Sequence, residues 1–126
     1  MIIHDLGPKA VDQMVRVDLA SLDQEPASPI GEFMFHGCTC GMASFSGRPP
    51  WERHTAGDEL LHVLAGESLL TLLRETGPVS RTIRAGELVI VPQGTWHNND
   101  APDGVAMLYM TPSEGNEHSW ERPRIA

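Results

Sequence analysis

Apolar positions along the chain fall in short runs that suit strands rather than an amphipathic helix. Met14-Val15-Arg16-Val17-Asp18-Leu19 alternates apolar and polar side chains, the period of a half-buried strand. Glu32 to Phe45 fits a strand interrupted at Gly37 and Gly41. Glu59 to Leu64 is the clearest strand. The pattern predicts a tight turn after it at Ala65-Gly66, with Ser68 to Arg74 as the hairpin partner. Ser80 to Arg84, Glu87 to Val91 and Val105 to Met110 supply further strands, parted by Glu75-Thr76-Gly77-Pro78, Ala85-Gly86 and Pro92-Gln93-Gly94. Gln24 to Pro29 and Ser46 to Pro50 read as loops, because proline cannot donate to a strand ladder. Glu114 to Ala126 reads as a polar tail. Strands recurring every eight to twelve residues or so predict an all-β fold: an antiparallel sandwich, barrel or jelly roll.

Length and charge narrow the picture. A chain of 126 residues is expected to form one domain, since two cores of half that size would each be marginal. Nine basic residues against 17 acidic ones give a net charge of −8. With no stripe of Lys or Arg, neither nucleic acid nor a membrane surface is an expected partner. The most apolar stretch, Leu60 to Leu73, is broken by His62 and Glu67 and is too short to span a bilayer. The opening MIIHDLGPKA has no basic segment ahead of an apolar run, so no secretory signal is expected. Cys38 and Cys40 are too close in sequence for an ordinary loop-closing disulfide, which predicts a reduced, cytoplasmic setting.

Six histidines stand out in so acidic a chain. Two stretches set a histidine near a strand end between turn glycines. The first is Trp51-Glu52-Arg53-His54-Thr55-Ala56-Gly57-Asp58-Glu59, with Gly66 beyond it. The second runs from Gly86 through Pro92-Gln93-Gly94-Thr95-Trp96-His97-Asn98-Asn99. In a barrel, side chains from separate strands converge on the interior, so His54, Glu59 and His97 can meet there. Strand alternation turns Asp58 away from Glu59 and leaves it solvated, and it turns His62 outward. Cys38, Cys40 and His36 share one face of a strand. Two thiols alone do not make a structural zinc site, so they read as small buried hydrophobes. His118 reads as a tail residue.

These two stretches resemble the motifs of the cupin family. The second motif matches at Gly86, Pro92, Gly94 and His97 and misses only its final Asn slot, which holds Ala101, with Asn98 and Asn99 off register. The first departs further. One register takes His54 as the family's second histidine, puts Glu52 in the slot of the first, and leaves four residues before Glu59. Another keeps Gly47 but puts Arg53 and Thr55 in the histidine slots. The first is preferred because it retains potential ligands. The resemblance covers Phe45 to Thr111 and implies an antiparallel double-stranded β-helix, or jelly-roll, barrel. The strands before it and the polar tail after it are extensions of the same domain.

The resemblance also implies a divalent transition metal, Fe, Mn, Zn or Ni, held by His54, Glu59, His97 and Glu52. Imidazole and carboxylate together suit these ions, and two histidines with one carboxylate leave positions open. The competing reading is an empty pocket whose metal site has decayed. Two functions follow. One is a metal-dependent enzyme, of dioxygenase, isomerase or lyase type, acting on a small polar molecule inside the barrel, with Glu52 as a general base if it is not a ligand and Tyr109 offering a hydroxyl. The other is a non-catalytic binder of a small ligand, with or without metal. Small cupins are similar in often pairing, and a small barrel has sheet edges to cover, so a homodimer is expected.

Overall fold

The structure is a computed structural model that describes residues 1–19 and 31–125. The loop expected at Gln24 to Pro29 lies outside the described residues. Among those described, one five-residue helix and nine strands follow the chain in order: α1 (Pro8–Asp12), β1 (Val17–Asp18), β2 (Phe33–Phe35), β3 (Cys38–Gly47), β4 (Trp51–His54), β5 (Glu59–Arg74), β6 (Gly77–Arg84), β7 (Leu88–Val91), β8 (His97–Pro112) and β9 (Asn116–Ser119).

Two 16-residue strands, β5 and β8, organise the molecule and pair antiparallel with each other. In one layer β7, the first part of β5, the last part of β8, β3 and β2 lie side by side. In the other, β6 pairs with the second part of β5, and β4 lies between β8 and β9. The sheet is mixed, because β1 runs parallel to β3 while every other pairing is antiparallel. That corrects the wholly antiparallel expectation. A two-residue strand reached through the preceding helix has no tight turn to dictate its direction.

The expected turn at Ala65-Gly66 is instead a bend inside β5. Gly66 has φ +73° and Gly104 on β8 has φ +96°, and the β5–β8 register shifts between Gly66 and Leu69. A Cβ built on Gly66 would lie 2.3 Å from the Gly104 carbonyl oxygen, so the two strands bend where their backbones touch. By the same device β8 begins at His97 rather than at Val105.

Gly41 lies within β3 without interrupting it. It pairs with Tyr109, whose hydroxyl fills the space a Cβ would take. The chain reverses at His36-Gly37 to join β2 and β3. The strand expected over Met14 to Leu19 shrinks to Val17–Asp18. Ahead of it α1, with Pro8 at its first turn, sets Val11 on Met42 and Ala106 on the outside of β3 and β8.

Between the layers the core is Leu61, Val63, Leu70, Ile83, Val91, Ala101, Val105 and Met107, with Phe45, Leu72, Val89 and Tyr109 against it. These are the inward positions of each strand, and His62 turns outward as alternation requires. Among the described residues no helix is long and apolar enough to cross a membrane.

Candidate metal centre

One end of this core is polar. Glu52 and His54 sit two residues apart on β4 and face the same way, while Arg53 between them points outside. There it lies over the Trp96 ring and against the Glu117 carboxylate, 2.5 Å away. His97, the first residue of β8, is the direct cross-strand partner of Glu52. Glu59 opens β5, and the Thr111 hydroxyl on β8 donates to its Oε2 at 2.6 Å. Ligand atoms from Glu52, His54, Glu59 and His97 all lie within 4.8 Å of one another. His97 Nε2 is 3.1 Å from both Glu52 Oε1 and Glu59 Oε1. His54 Nε2 is 3.1 Å from Glu59 Oε2 and 3.5 Å from Glu52 Oε1. The register that keeps Glu52 and His54 together therefore describes this geometry, and the rival one does not.

The far side of each imidazole decides which nitrogen faces the centre. His97 Nδ1 is 3.0 Å from the Thr95 carbonyl oxygen, which can only accept, so this nitrogen carries the hydrogen. His54 Nδ1 meets Asn116 Oδ1 at 2.8 Å, and the Asn116 amide nitrogen donates to the Pro112 carbonyl, which leaves that oxygen to accept. Both Nε2 atoms are thereby aimed at the carboxylates. His54 Nε2 is buried and forms no aligned hydrogen bond despite its closeness to Glu59. An orphaned imidazole nitrogen beside two carboxylates suits a divalent cation.

Titration behaviour expresses the same competition. Burial by itself lowers an imidazole pKa, but the Glu52 and Glu59 carboxylates outweigh it, holding His54 up at about 10 and His97 at about 9. Burial raises a carboxyl pKa, yet the two imidazoles hold Glu52 down at about 2. Glu59 is also lowered, its burial and the repulsion from Glu52 overcome by the histidines. Without metal the four groups balance as two anions and two cations. A divalent ion with two neutral imidazoles gives the same balance.

A cavity of about 330 Å³ opens onto Glu52, Glu59 and His97. Its walls include Phe45, Leu61, Met107 and Tyr109. Tyr109 lines it as expected, but its hydroxyl donates to Glu32 Oε2 at 3.0 Å, and burial together with that carboxylate pushes the phenol pKa up. Asn98 and Asn99, off register in the motif, are both buried and both line the cavity.

Three expectations from the sequence are corrected here. The polar tail contains β9, which pairs with β4 across Trp51 to His54. His118 on β9 reaches the cavity, 3.5 Å from Glu52 Oε2, and is not a loose tail residue. Asp58 is exposed as expected but not merely solvated, because it accepts the Gln93 backbone N–H at 2.8 Å and ties the two motif loops together. Cys38 and Cys40 are free thiols, and among the described residues they join no metal-ligand cluster. Asn116 and Thr111, which orient the site, carry no signal in the sequence, since each matters only through a partner dozens of positions away. Replacing Asn116 with alanine frees the His54 ring, and metal affinity should fall about 10- to 100-fold. Competition with a chromophoric chelator measures this, and unchanged affinity would refute the orienting role.

A mostly-β barrel with His and Glu converging at one end is the architecture of a cupin. The cupin domain profile matches residues 45–111, more than half the chain, and the chain belongs to the cupin family. A crystal structure of a protein from Neisseria meningitidis superposes with a TM-score of 0.58 at 23% identity, covering 75% of this chain and 92% of that one. A cupin-2 domain protein from Shewanella frigidimarina gives 0.57 at 20% identity, covering 70% and 79%. Oxalate oxidase gives 0.54 at 24% identity, covering 64% of this chain and 45% of its own. At these identities the likeness concerns the fold. No curated protein matches the chain.

Proposed function

We propose that the protein binds one divalent transition metal, Fe, Mn, Zn or Ni, through His54, Glu59, His97 and Glu52. We further propose that it is an enzyme acting on a small organic molecule in the adjoining cavity, of dioxygenase, isomerase or lyase type. The observation that carries this reading is the pair of imidazoles whose Nδ1 hydrogens are both committed to carbonyl oxygens, so that both Nε2 atoms face two carboxylates at a cavity wall. Structural neighbours include a hydroquinone 1,2-dioxygenase crystallised with Cd2+ and an oxalate decarboxylase with Mn(II) centres, which supports metal chemistry on this fold.

A bound ion supplies Lewis acidity toward a carbonyl or hydroxyl oxygen. The chain supplies the rest. Thr111 holds one oxygen of Glu59 and thereby fixes the orientation of that carboxylate. Glu52, the least buried of the four, is ionised near neutral pH, and it is the carboxylate placed to take a proton from a molecule in the cavity only if it does not hold the ion. Tyr109, with its hydroxyl engaged by Glu32, acts as a wall rather than as an acid. Elemental analysis of protein purified without chelator should find close to one equivalent of a transition metal. Less than about 0.1 equivalent, even after reconstitution, defeats the reading.

We also propose that the outer face of β2, β3, β8, β5 and β7 is where two copies pair. Cross-strand registers line up Phe33, Cys40, Met110, Leu60 and Ile90 in one apolar row, with Leu108, His62 and Leu88 in the next, where α1 covers Met42. Phe35, Leu88 and Ile90 are 53%, 57% and 48% exposed, a patch that a soluble monomer of this size would rarely leave open. Light scattering should give twice 13.8 kDa, and the double substitution Leu88→Glu with Ile90→Glu should give a folded monomer. Monomeric wild-type protein would remove the proposal.

A further inference from the structure

One buried residue of the cavity wall has a donor with no protein partner. Among the side-chain amides and hydroxyls there, Asn98 donates to the Pro49 carbonyl at 2.7 Å, Thr111 to Glu59 and Tyr109 to Glu32. His118 stands at the rim against Glu52, with more than half of its side chain exposed. Asn99 differs from all of these. It is 6% exposed, its Oδ1 accepts from the Ser68 hydroxyl at 3.1 Å, and its amide nitrogen makes no hydrogen bond among the described residues. That nitrogen is not sealed into the core either, and keeps surface open to the cavity.

Ser68 fixes which way the amide points. It lies on β5 in the register shift that follows Gly66, two residues ahead of Leu70, the direct partner of Asn99. Diagonal neighbours of this kind are within side-chain reach. Ser68 is fully buried, and among the described residues its hydroxyl has no acceptor other than Asn99 Oδ1. With the amide turned round, that hydroxyl would face a nitrogen that only donates, leaving a buried O–H unpaired. The pair therefore holds Oδ1 toward Ser68 and presents the nitrogen to the cavity.

Asn99 stands two residues beyond His97 on β8, so alternation puts both side chains on one face, about 7 Å apart along the strand. The asparagine slot of the family motif holds Ala101, so Asn99 is a feature of this chain's own. A carbonyl oxygen, which has lone pairs and no hydrogen, is the fitting partner for its amide nitrogen. We infer that Asn99 is a specificity-determining residue, its amide nitrogen donating to a carbonyl oxygen, of a ketone, an amide or a carboxylate, on the molecule bound in the cavity. Ser68 is the positioning residue that keeps the amide turned that way. This deepens the reading above and rests on the cavity's holding a small organic molecule.

The test is an NMR titration of isotope-labelled protein, metal-free and Zn2+-loaded, with ring compounds of similar size. Acetophenone offers a carbonyl oxygen, α-methylstyrene has a methylene group in its place, benzoate carries a carboxylate, and aniline donates. Acetophenone or benzoate should bind about three- to ten-fold tighter than α-methylstyrene, the worth of one neutral hydrogen bond, and should move the Asn99 side-chain amide signals. Asn99→Leu should erase that preference. The double substitution Ser68→Ala with Asn99→Leu, which also removes the stranded hydroxyl, replaces it should the single variant not fold. Ser68→Ala alone lets the amide turn, so the preference should shrink while aniline gains at least about two-fold. A merely structural role for Ser68 would not produce that exchange, and Ser68→Ala binding like wild type overturns the positioning role. No preference in wild type, or one that survives in a folded protein without Asn99, overturns the inference alone. Binding of none of the four probes, with or without zinc, overturns the cavity reading and this inference together. Loss of zinc on desalting defeats the metal reading only, because the metal-free titration still reads Asn99.

Discussion

Replacing His97 with alanine should abolish metal binding and also destabilise the metal-free protein. His97 is fully buried, and its Nε2 stands between Glu52 Oε1 and Glu59 Oε1 at 3.1 Å each. Its removal deletes a candidate ligand and leaves the buried Glu59 and half-buried Glu52 carboxylates facing each other across a void with His54 alone to offset them. Removing one partner of a buried ion pair costs about 3–5 kcal/mol, and for a domain of this size that lowers Tm by about 10 °C or more. His97→Gln, which keeps a polar group near the carboxylates, should recover part of the stability and none of the metal affinity. Calorimetric melting of chelator-treated proteins separates the two effects. A His97→Ala variant with wild-type Tm would mean that the carboxylates are protonated rather than paired with the imidazole.

Metal uptake should expel protons, and the number follows from the site. With His97 near 9 and His54 near 10, both imidazoles are protonated at pH 7.5, and an ion can bind only after both have lost their Nε2 protons. About two protons should leave per ion. Apparent affinity should then climb by about two log units per pH unit up to about 9, by about one between 9 and 10, and level off above. Titration calorimetry in buffers of different ionisation enthalpy counts them, and release of fewer than one would contradict the pairing.

The same shifts set the stability of the metal-free protein. Each imidazole lies above its ordinary value of about 6.5, so its contribution is complete below that pH and is lost as pH rises through 9 to 10. Glu52 lies below the ordinary carboxylate range, so its contribution is complete above about 4.5 and is lost as pH falls through about 2. Stability of the metal-free protein should therefore peak between these limits and decline toward alkaline pH.

What the sequence could disclose depended on how local the determinant is. Gly86, Pro92, Gly94 and His97 form a spacing because one turn leads directly into the start of one strand. Glu52 and His54 are legible together because alternation puts both on one face of β4. Gly66 misleads for an equally local reason. A glycine in an apolar run serves a hairpin turn or a bulge alike, and only the Gly104 carbonyl against it on β8 distinguishes them. The β9 segment is too polar to announce a strand, so Asn116 and His118 acquire meaning only once β4 lies beside them. Helix α1 spans five residues, too few for a periodicity to register, and Tyr109 meets Glu32 from 77 positions away.

The bend shared by β5 and β8 gives the metal centre a mechanical meaning. The two strands form one ladder, with Leu60 opposite Met110 near one end and Leu72 opposite His97 at the other. Laid straight, the stretch from Leu60 to Leu72 would run about 40 Å. Yet Glu59, beside the first of these, and His97, at the last, bring side-chain atoms to 3.1 Å. The ladder is a strip folded double at its glycines, and Glu59 and His97, with Glu52 and His54 of β4 beside them, are the clasp that holds its ends together. An ion held there would do more than await a substrate. It would close the strip, so that losing it would loosen both ends of the β5–β8 ladder at once.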